Sequence, residues 1–138
     1  LHSDAVLTDA VQQQIVAWRA RTRGVSVQLV RGNHDRHLPA LPSPWGIGET
    51  PEGTALGPWI LHHEPPEGRQ KEEPILCGHL HPTVRLVGAE TLRLPCFHVT
   101  RHQLMLPAFA AMTNGVVLPQ RAHEHAYGIA EDQVIPLW

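Results

Sequence analysis

The amino-acid sequence lacks any hydrophobic run long enough to span a membrane, and its first residues do not have the pattern of a signal peptide. These two absences predict a cytoplasmic protein with no membrane partner. The chain also lacks an excess of positive charge, because 13 aspartates and glutamates outnumber 11 lysines and arginines, for a net charge of -2. No basic field therefore indicates a nucleic-acid-binding surface. A bound cation can still supply the charge that a phosphate group needs, so this absence does not exclude phosphate chemistry.

Cysteine is scarce. Cys77 and Cys96 are the only two, and they lack the close spacing of metal-binding pairs. We predict that both are reduced and partly buried rather than joined in a disulfide. The chain also has no Gly-x-Ser-x-Gly motif, and neither cysteine has a plausible base beside it. Nothing in the sequence therefore favours a nucleophilic serine or cysteine.

The length of 138 residues allows one domain with a modest core. The chain begins with Leu1 rather than methionine. We therefore expect a single domain over residues 1–138 that is incomplete at its N-terminus and belongs to a longer polypeptide.

Hydrophobic spacing predicts one helix and several short strands. Thr8 or Asp9 is expected to cap a helix that ends near Gly24, and a buried strand is expected at residues 25–30. Residues 36–58 contain five prolines and four glycines and are predicted to form a long loop. Further strands are predicted at residues 59–61, 75–77, 84–87, 92–99 and 104–106, whereas the pattern after residue 113 is too weak to place.

Polar residues follow three of these predicted strands. The clusters are residues 32–35 (GNHD), 62–64 (HHE) and 78–81 (GHLH), and each comes directly after a short apolar run. In α/β sheets, ligands bind outside the carboxyl ends of the strands. We therefore expect the three clusters to meet at one edge of one sheet and to form one site.

The first cluster combines residue types that suit metal and proton chemistry. Gly32 allows a sharp turn, and the side-chain oxygen of Asn33 can ligate a cation. His34 can carry a proton near neutral pH, and Asp35 can hold its imidazole in one tautomer. Because Asn, Asp and Gly also favour turns, an ordinary turn is the alternative interpretation.

The other two clusters supply histidines. In an extended segment, residues two apart share a face, so His79 and His81 are predicted to point one way while Leu80 points into the core. Two histidines on one face are typical of a metal site, although a chance pairing in a chain with 11 histidines is the alternative. Neighbouring strand residues alternate sides, so only one of His62 and His63 can face this site; the alternative is an ordinary loop histidine. Five further histidines are interpreted as satisfied or exposed: His37, His98, His102, His123 and His125.

As a set, GNHD, HHEP at 62–65 and GHLH resemble the last three signature blocks of the calcineurin-like metallophosphoesterase superfamily, in the right order. Residues 92–115, LRLPCFHVTRHQLMLPAFAAMTNG, resemble one branch, the bacterial ligase-associated DNA damage response endonucleases of the PdeM type. The resemblance implies an α/β fold, the C-terminal part of a four-layer α/β/β/α sandwich. It also implies a metal-dependent phosphodiesterase or nuclease of DNA repair, with DNA or another phosphodiester as its substrate.

The resemblance further implies two divalent metal ions, often manganese. Asn33, one histidine of the 62–63 pair and His79 would bind the second ion, and His81 would bind the first. We favour His63 over His62, because His-Glu-Pro is the form that this branch uses. A set of amide oxygen and imidazole ligands suits manganese, iron or zinc better than calcium.

Catalytic roles fall to the residues that come directly after Asn33. The resemblance implies that His34 is the general acid and that Asp35 orients it, and we expect Arg36 to contact phosphate. Two metal ions about 3.5–4 Å apart can clamp a phosphate and convert a bridging water into hydroxide near neutral pH. That hydroxide would attack phosphorus in line, and a histidine beside the site would protonate the leaving oxygen.

Two other signature blocks of the superfamily, Asp-x-His and Gly-Asp, are absent from the chain, and LHSDA at 1–5 resembles the segment directly after the Gly-Asp block. Those blocks supply acidic metal ligands, so we expect an enzyme as the full-length protein and no activity from the 138-residue chain alone. The missing N-terminal segment and other DNA-repair proteins are its expected partners. Two alternatives stay open: a phosphoesterase acting on nucleotides or small phosphoesters, and an inert fragment or interaction module without the Asp ligands.

Overall fold

A computed structural model describes residues 8–35, 39–68, 72–110 and 113–138 of the chain. It divides into two compact units, Leu1–Glu52 and Gly53–Trp138, and each is described by itself. The expectation of a single domain over residues 1–138 stays a prediction. A helix long and apolar enough to cross a membrane is absent from the described residues.

The first unit contains helix α1, Asp9–Arg21, where the sequence predicts a helix. The hydroxyl of Thr8 caps it by accepting a hydrogen bond from the Val11 backbone N–H, 3.3 Å away. An acidic residue in the first turn and arginines in the last turn complement the helix dipole. None of the helical residues is buried, so packing within the described residues covers little of the helix.

The first unit also contains a parallel pair of strands, β1 (Gln28–Val30) and β2 (Gly48–Thr50). The sequence predicts a buried strand over 25–30, but β1 is shorter and only partly buried, because β2 is its single strand partner among the described residues. The prediction of one long loop over 36–58 is wrong. That stretch holds a 3-10 helix at Ser43–Trp45, strand β2 and a third strand, β3 (Ala55–Leu56). Trp45 is buried and anchors the proline-rich stretch. The prolines and glycines around it give no indication of this anchor.

The second unit is built around a mixed sheet. Its strands after β3 are β4 (Trp59–Leu61), β5 (Ile75–Cys77), β6 (Pro82–Val87), β7 (Thr91–Val99), β8 (Gln103–Met105), β9 (Val116–Val117), β10 (His125–Ala130) and β11 (Gln133–Pro136). Along the sheet the order is β11-β10-β7-β8-β5-β4-β3, with β6 paired to β7 and β9. Strands β4, β5 and β8 run parallel, whereas β7 is antiparallel to β6, β8 and β10. The α/β class predicted from the sequence is therefore confirmed, and the sheet is compatible with part of an α/β sandwich.

Five of the strands in this unit, β4 to β8, lie where the sequence predicts them. The weak pattern of the last residues predicts none of strands β9, β10 and β11: β9 and β10 pair with β6 and β7, which lie far away in the chain, and β11 forms a hairpin with β10. The long strand β7 pairs with two different strands. Its first half pairs with β6 and its second half with β10, so one segment organises two neighbours.

Two apolar clusters form the core of the second unit. One consists of Ile75, Cys77 and Met105, and the other is centred on Val84, Cys96 and Ala126. Both cysteines are free and buried, as predicted for reduced thiols. Among the histidines interpreted as satisfied or exposed, His98 is buried with Nε2 3.1 Å from Oε2 of Glu124, and His123 and His125 are exposed.

The buried Cys96 thiol should make the stability of the protein depend on pH. Burial raises the pKa of Cys96 from 9.0 to about 11. Between these values the unfolded chain loses the thiol proton while the folded chain keeps it, so the free energy of unfolding should fall by about 2–3 kcal/mol as pH rises through this window. Urea denaturation at a series of alkaline pH values measures this fall. The Cys96→Ala variant should lose most of it, and an equally steep fall in that variant would contradict the assignment to Cys96.

Candidate active site

The site in the second unit lies at the carboxyl edge of the parallel strands β4 and β5. Their register pairs Leu61 with Leu76, and the backbone N–H of His62 continues the ladder by donating to the carbonyl of Leu76, 3.0 Å away. The N–H of Gly78 donates to the carbonyl of His63, also at 3.0 Å. Residues 62–64 and 78–81 therefore leave the sheet side by side, as predicted. We call residues 78–81 the histidine loop.

This pairing brings two imidazoles into contact. Nε2 of His63 lies 2.9 Å from Nδ1 of His79, and the ring centroids are 4.8 Å apart at an interplanar angle of 67°. In the absence of a metal ion, this separation suits a hydrogen bond in which one ring nitrogen donates to the other. The structure thus places His63, the histidine favoured from the sequence, against His79.

The second ring nitrogen of His79 lies near a carboxylate. Oε2 of Glu64 lies 3.5 Å from Nε2 of His79. A carboxylate at this nitrogen favours the tautomer with the proton on Nε2, which leaves a lone pair on Nδ1 facing His63. The sequence alone indicates no role for Glu64 of the HHEP block, because only the fold places it beside a residue 15 positions along the chain.

The histidine loop differs from the predicted extended segment. His79 and His81 have φ angles of 64° and 50°, in the left-handed region that residues with side chains rarely adopt. Leu80 is 36% exposed rather than turned into the core. The extended alternation assumed from the sequence is therefore wrong here, because the backbone turns sharply, with the N–H of Leu80 donating to the carbonyl of Gly78. Strain of this kind concentrates at functional sites.

The neighbouring Gly115 helps to hold this strained backbone. A Cβ atom at this glycine would overlap the carbonyl oxygen of His81 and lie 2.9 Å from Cγ2 of Thr83. The next residue, Val116, donates its N–H to the carbonyls of Leu80 and His81, at 3.1 and 3.2 Å. The close approach of the two backbones therefore requires the absence of a side chain at 115.

The cluster of the first unit, residues 32–35, forms a tight turn after β1. Asn33–Asp35 is a 3-10 helix, closed by the N–H of Asp35 donating to the carbonyl of Gly32 at 3.0 Å. In return, Oδ2 of Asp35 accepts a hydrogen bond from the N–H of Gly32 at 3.0 Å. Asn33 and His34 are exposed, so solvent reaches both side chains. The turn suggested as the alternative interpretation is present, and it presents the two predicted functional side chains outward.

Arg31 braces this turn, a role that sequence reasoning missed. Its guanidinium binds the carboxylate of Glu49 through two contacts of 2.6 and 2.7 Å, and it donates to the backbone carbonyls of Asp35 at 2.9 Å and Pro39 at 3.0 Å. The ion pair raises the pKa of Arg31 and lowers the pKa of Glu49. No local sequence signal connects these residues, because their contact depends on the pairing of β1 with β2.

The expectation that all three clusters meet at the edge of one sheet is not confirmed. Strand β1 belongs to the two-stranded sheet of the first unit, whereas β4 and β5 belong to the large sheet of the second. The convergence of Asn33 and His34 with His63, His79 and His81 stays a prediction, as do their individual roles. Arg36, His37 and residues 1–5 lie outside the described residues.

The donor atoms of the second unit fit part of a metal site. Two imidazole nitrogens that bind one ion at about 2.0–2.1 Å in neighbouring positions lie roughly 3 Å apart, close to the separation of His63 and His79. The contact of Glu64 with the second nitrogen of His79 is also typical of metal-binding histidines. Within the described ranges, no three His, Cys, Asp or Glu side chains are grouped so as to hold an ion.

The chain is similar to a nuclease of known structure. The chain matches the crystal structure of the nuclease MPE from Pseudomonas putida with a TM-score of 0.82 and 34% sequence identity, over 99% of this chain. It spans 66% of the length of that nuclease chain. No protein-family model and no curated protein matches the chain. The similarity shows a nuclease-like fold.

Removal of either paired imidazole should weaken metal binding. We expect His63→Ala and His79→Ala each to lower the affinity for Mn²⁺ or Zn²⁺ at least tenfold, because each variant removes one of two adjacent nitrogen donors. Isothermal titration calorimetry measures this change. His125→Ala removes an exposed histidine on β10 and serves as the control. Equal affinities in all three variants would show that the pair does not hold a metal ion.

A side chain at position 115 should destabilise the fold. We expect Gly115→Ala to lower the free energy of unfolding by about 2–3 kcal/mol, because its methyl group would push against the backbone of His81. Gly24→Ala is the matched control, since nothing lies within 4 Å of a Cβ there. Its stability should stay within about 1 kcal/mol of the wild type. Chemical denaturation compares the two, and equal stabilities would contradict the close packing at 115.

Proposed function

We propose that the protein takes part in the metal-dependent hydrolysis of phosphodiester bonds in nucleic acid, as a member of the calcineurin-like metallophosphoesterase superfamily. One observation carries the proposal. His63 and His79 lie with ring nitrogens 2.9 Å apart at the carboxyl edge of β4 and β5, in a chain 34% identical to a nuclease of matching fold. Ligand sites of α/β sheets lie at this edge.

The residues proposed as metal ligands are Asn33, His63 and His79 for one divalent ion and His81 for a second. Their amide oxygen and imidazole nitrogens suit Mn²⁺, with iron or zinc as alternatives. When bound, such ions supply positive charge for the phosphate and lower the pKa of a coordinated water. The resemblance to the superfamily implies acidic ligands as well, from the Asp-x-His and Gly-Asp blocks that these 138 residues do not contain.

The chain's own residues would perform the proton transfer. His34 is exposed on the turn after β1, where it can donate a proton to the leaving oxygen of a substrate. The hydrogen bond from Gly32 to the Asp35 carboxylate and the three partners of Arg31 keep this turn in one conformation. A fixed turn reduces the motion that would otherwise separate a general acid from its substrate.

DNA is the proposed substrate, in a repair reaction. The similarity to a nuclease supports a nucleic acid, and the resemblance of residues 92–115 to the ligase-associated endonucleases supports DNA repair. Manganese-dependent cleavage of single-stranded DNA by the full-length protein, expressed from its native reading frame, is compared with that of bis-p-nitrophenyl phosphate to test the substrate class. Turnover of the small ester alone would favour a small-molecule phosphoesterase, and turnover of neither would contradict the proposal.

Two substitutions should separate proton transfer from metal binding. In the protein expressed from its native reading frame, His34→Ala should lower kcat for DNA about 10²–10⁴-fold and leave Mn²⁺ affinity unchanged, because it removes a general acid. His79→Ala should lower both quantities, because it removes a ligand. Steady-state kinetics and calorimetry on the same preparations measure the two effects. Small and equal effects from both substitutions would show that the roles are misassigned.

A further inference from the structure

A segment of the second unit begins and ends beside the histidine loop. The N–H of Leu106 donates to the carbonyl of Cys77, 2.8 Å away, at the carboxyl end of β5. Ten residues later, Val116 donates to the carbonyls of Leu80 and His81. The backbones at both ends of this segment therefore lie against residues 77–81.

Phe109 lies near the first end of this segment and is fully exposed, at 105% of the reference area. It is three residues beyond Leu106, so the chain keeps its backbone within about 11 Å of that anchored position. A large aromatic side chain normally contributes its area to a core or an interface. An aromatic ring displayed in full to solvent is the type of group on which nucleobases stack.

Arg93 lies near the second end. Its Nε donates to Oγ1 of Thr83 at 3.0 Å, and its Nη2 donates to the carbonyl of Gly115. Because Gly115 packs directly against the backbone of His81, these bonds fix the guanidinium beside the histidine loop. Arg93 remains exposed, so its remaining N–H groups can reach a ligand.

Arg85 lies directly across from Arg93 in the antiparallel pairing of β6 and β7. It is exposed, and its side chain makes no ion pair with the described residues. Like charges directly opposite each other on one sheet face repel and destabilise the pair. A phosphate group between them would remove this repulsion, since guanidinium groups bind phosphate oxygens with paired hydrogen bonds.

We propose that Phe109, Arg93 and Arg85 form a surface that binds single-stranded nucleic acid beside the histidine loop. Phe109 stacks on an unpaired base, and the two arginines bind phosphates of the same strand. Arg85 follows His81 by four residues, about 13 Å of strand, so one nucleic-acid strand can reach from the histidine loop to Arg85 within a few nucleotides. A single strand fits better than a duplex, because bases within a duplex are stacked on each other and cannot meet Phe109. This inference rests on the proposed function and names residues that select its substrate.

Fluorescence anisotropy with a labelled single-stranded oligonucleotide tests the surface. The measurement is made in EDTA, so that it requires no cleavage. We expect Phe109→Leu to weaken binding about tenfold without changing its salt dependence, because only stacking is lost. Arg85→Gln should weaken binding roughly three- to tenfold and reduce the slope of log K against log salt by about 1, because one phosphate contact is lost. It should also leave the Tm equal or higher, because it removes the repulsion from Arg93.

Two control variants in the same unit carry equivalent changes. Tyr127→Leu removes another exposed aromatic ring, and Arg101→Gln removes another exposed arginine, which lies beyond the far end of β7. Both should bind the oligonucleotide as the wild type does. Binding that Phe109→Leu and Arg85→Gln leave unchanged, or that the controls weaken equally, would overturn the proposed surface.

A different result would contradict the proposed function. Absence of phosphodiester hydrolysis in the full-length wild type, expressed from its native reading frame, would contradict catalysis, while the anisotropy differences would still establish the binding surface. Conversely, oligonucleotide binding that is the same in the wild type, Phe109→Leu and Arg85→Gln would refute the surface. If these three proteins also hydrolyse bis-p-nitrophenyl phosphate equally, the proposed catalytic site is still supported. A probe of duplex DNA that binds as tightly as the single strand would also refute it.

Discussion

The parallel pairing of β4 with β5 is the constraint on which the second unit depends. Parallel strands leave a sheet at the same edge, and here two backbone hydrogen bonds of 3.0 Å extend the ladder just beyond the last strand residues. That extension sets His63 against His79. A shift of one residue in register would turn each side chain to the opposite face and separate the two rings. The apolar strands therefore determine the position of the polar groups at their carboxyl ends.

The histidine loop is held in a conformation that its own residues do not favour. Left-handed φ angles at His79 and His81 cost about 1–2 kcal/mol each for residues with a Cβ atom. The neighbouring backbone opposes that cost, because Val116 donates to the two carbonyls of the loop and Gly115 leaves room for the contact. The imidazoles are consequently placed before any ligand arrives, which lowers the entropy that binding must remove. A flexible loop would instead lose conformational entropy each time a ligand binds, which would weaken binding.

Local sequence signals predicted the parts of the protein that local physics determines. Short apolar runs ended by Gly or Pro identified β4, β5 and the histidine loop, and Thr8 identified the start of α1. The signals failed where a strand forms through pairing with a distant segment of the chain. Strand β2 lies in a proline-rich stretch and exists through its pairing with β1, and β9 and β10 exist through pairing with β6 and β7. The bracing contacts of Arg31 and Arg93 likewise join residues 18 and 22 positions apart. Left-handed angles at two histidines could not be predicted, because glycine is the residue that normally signals them.

The net charge of -2 illustrates why a composition describes a surface poorly. Arg31 is neutralised by Glu49 within its own unit, so it adds little to the field that a ligand meets. Arg85 and Arg93 instead face each other across β6 and β7, and neither makes an ion pair with the described residues. Two positive charges without an ion-pair partner among the described residues therefore lie side by side on the β6–β7 pair, although the chain as a whole is slightly acidic. An anionic strand responds to this local field, because exposed charges more than about 10 Å away are largely screened at physiological salt.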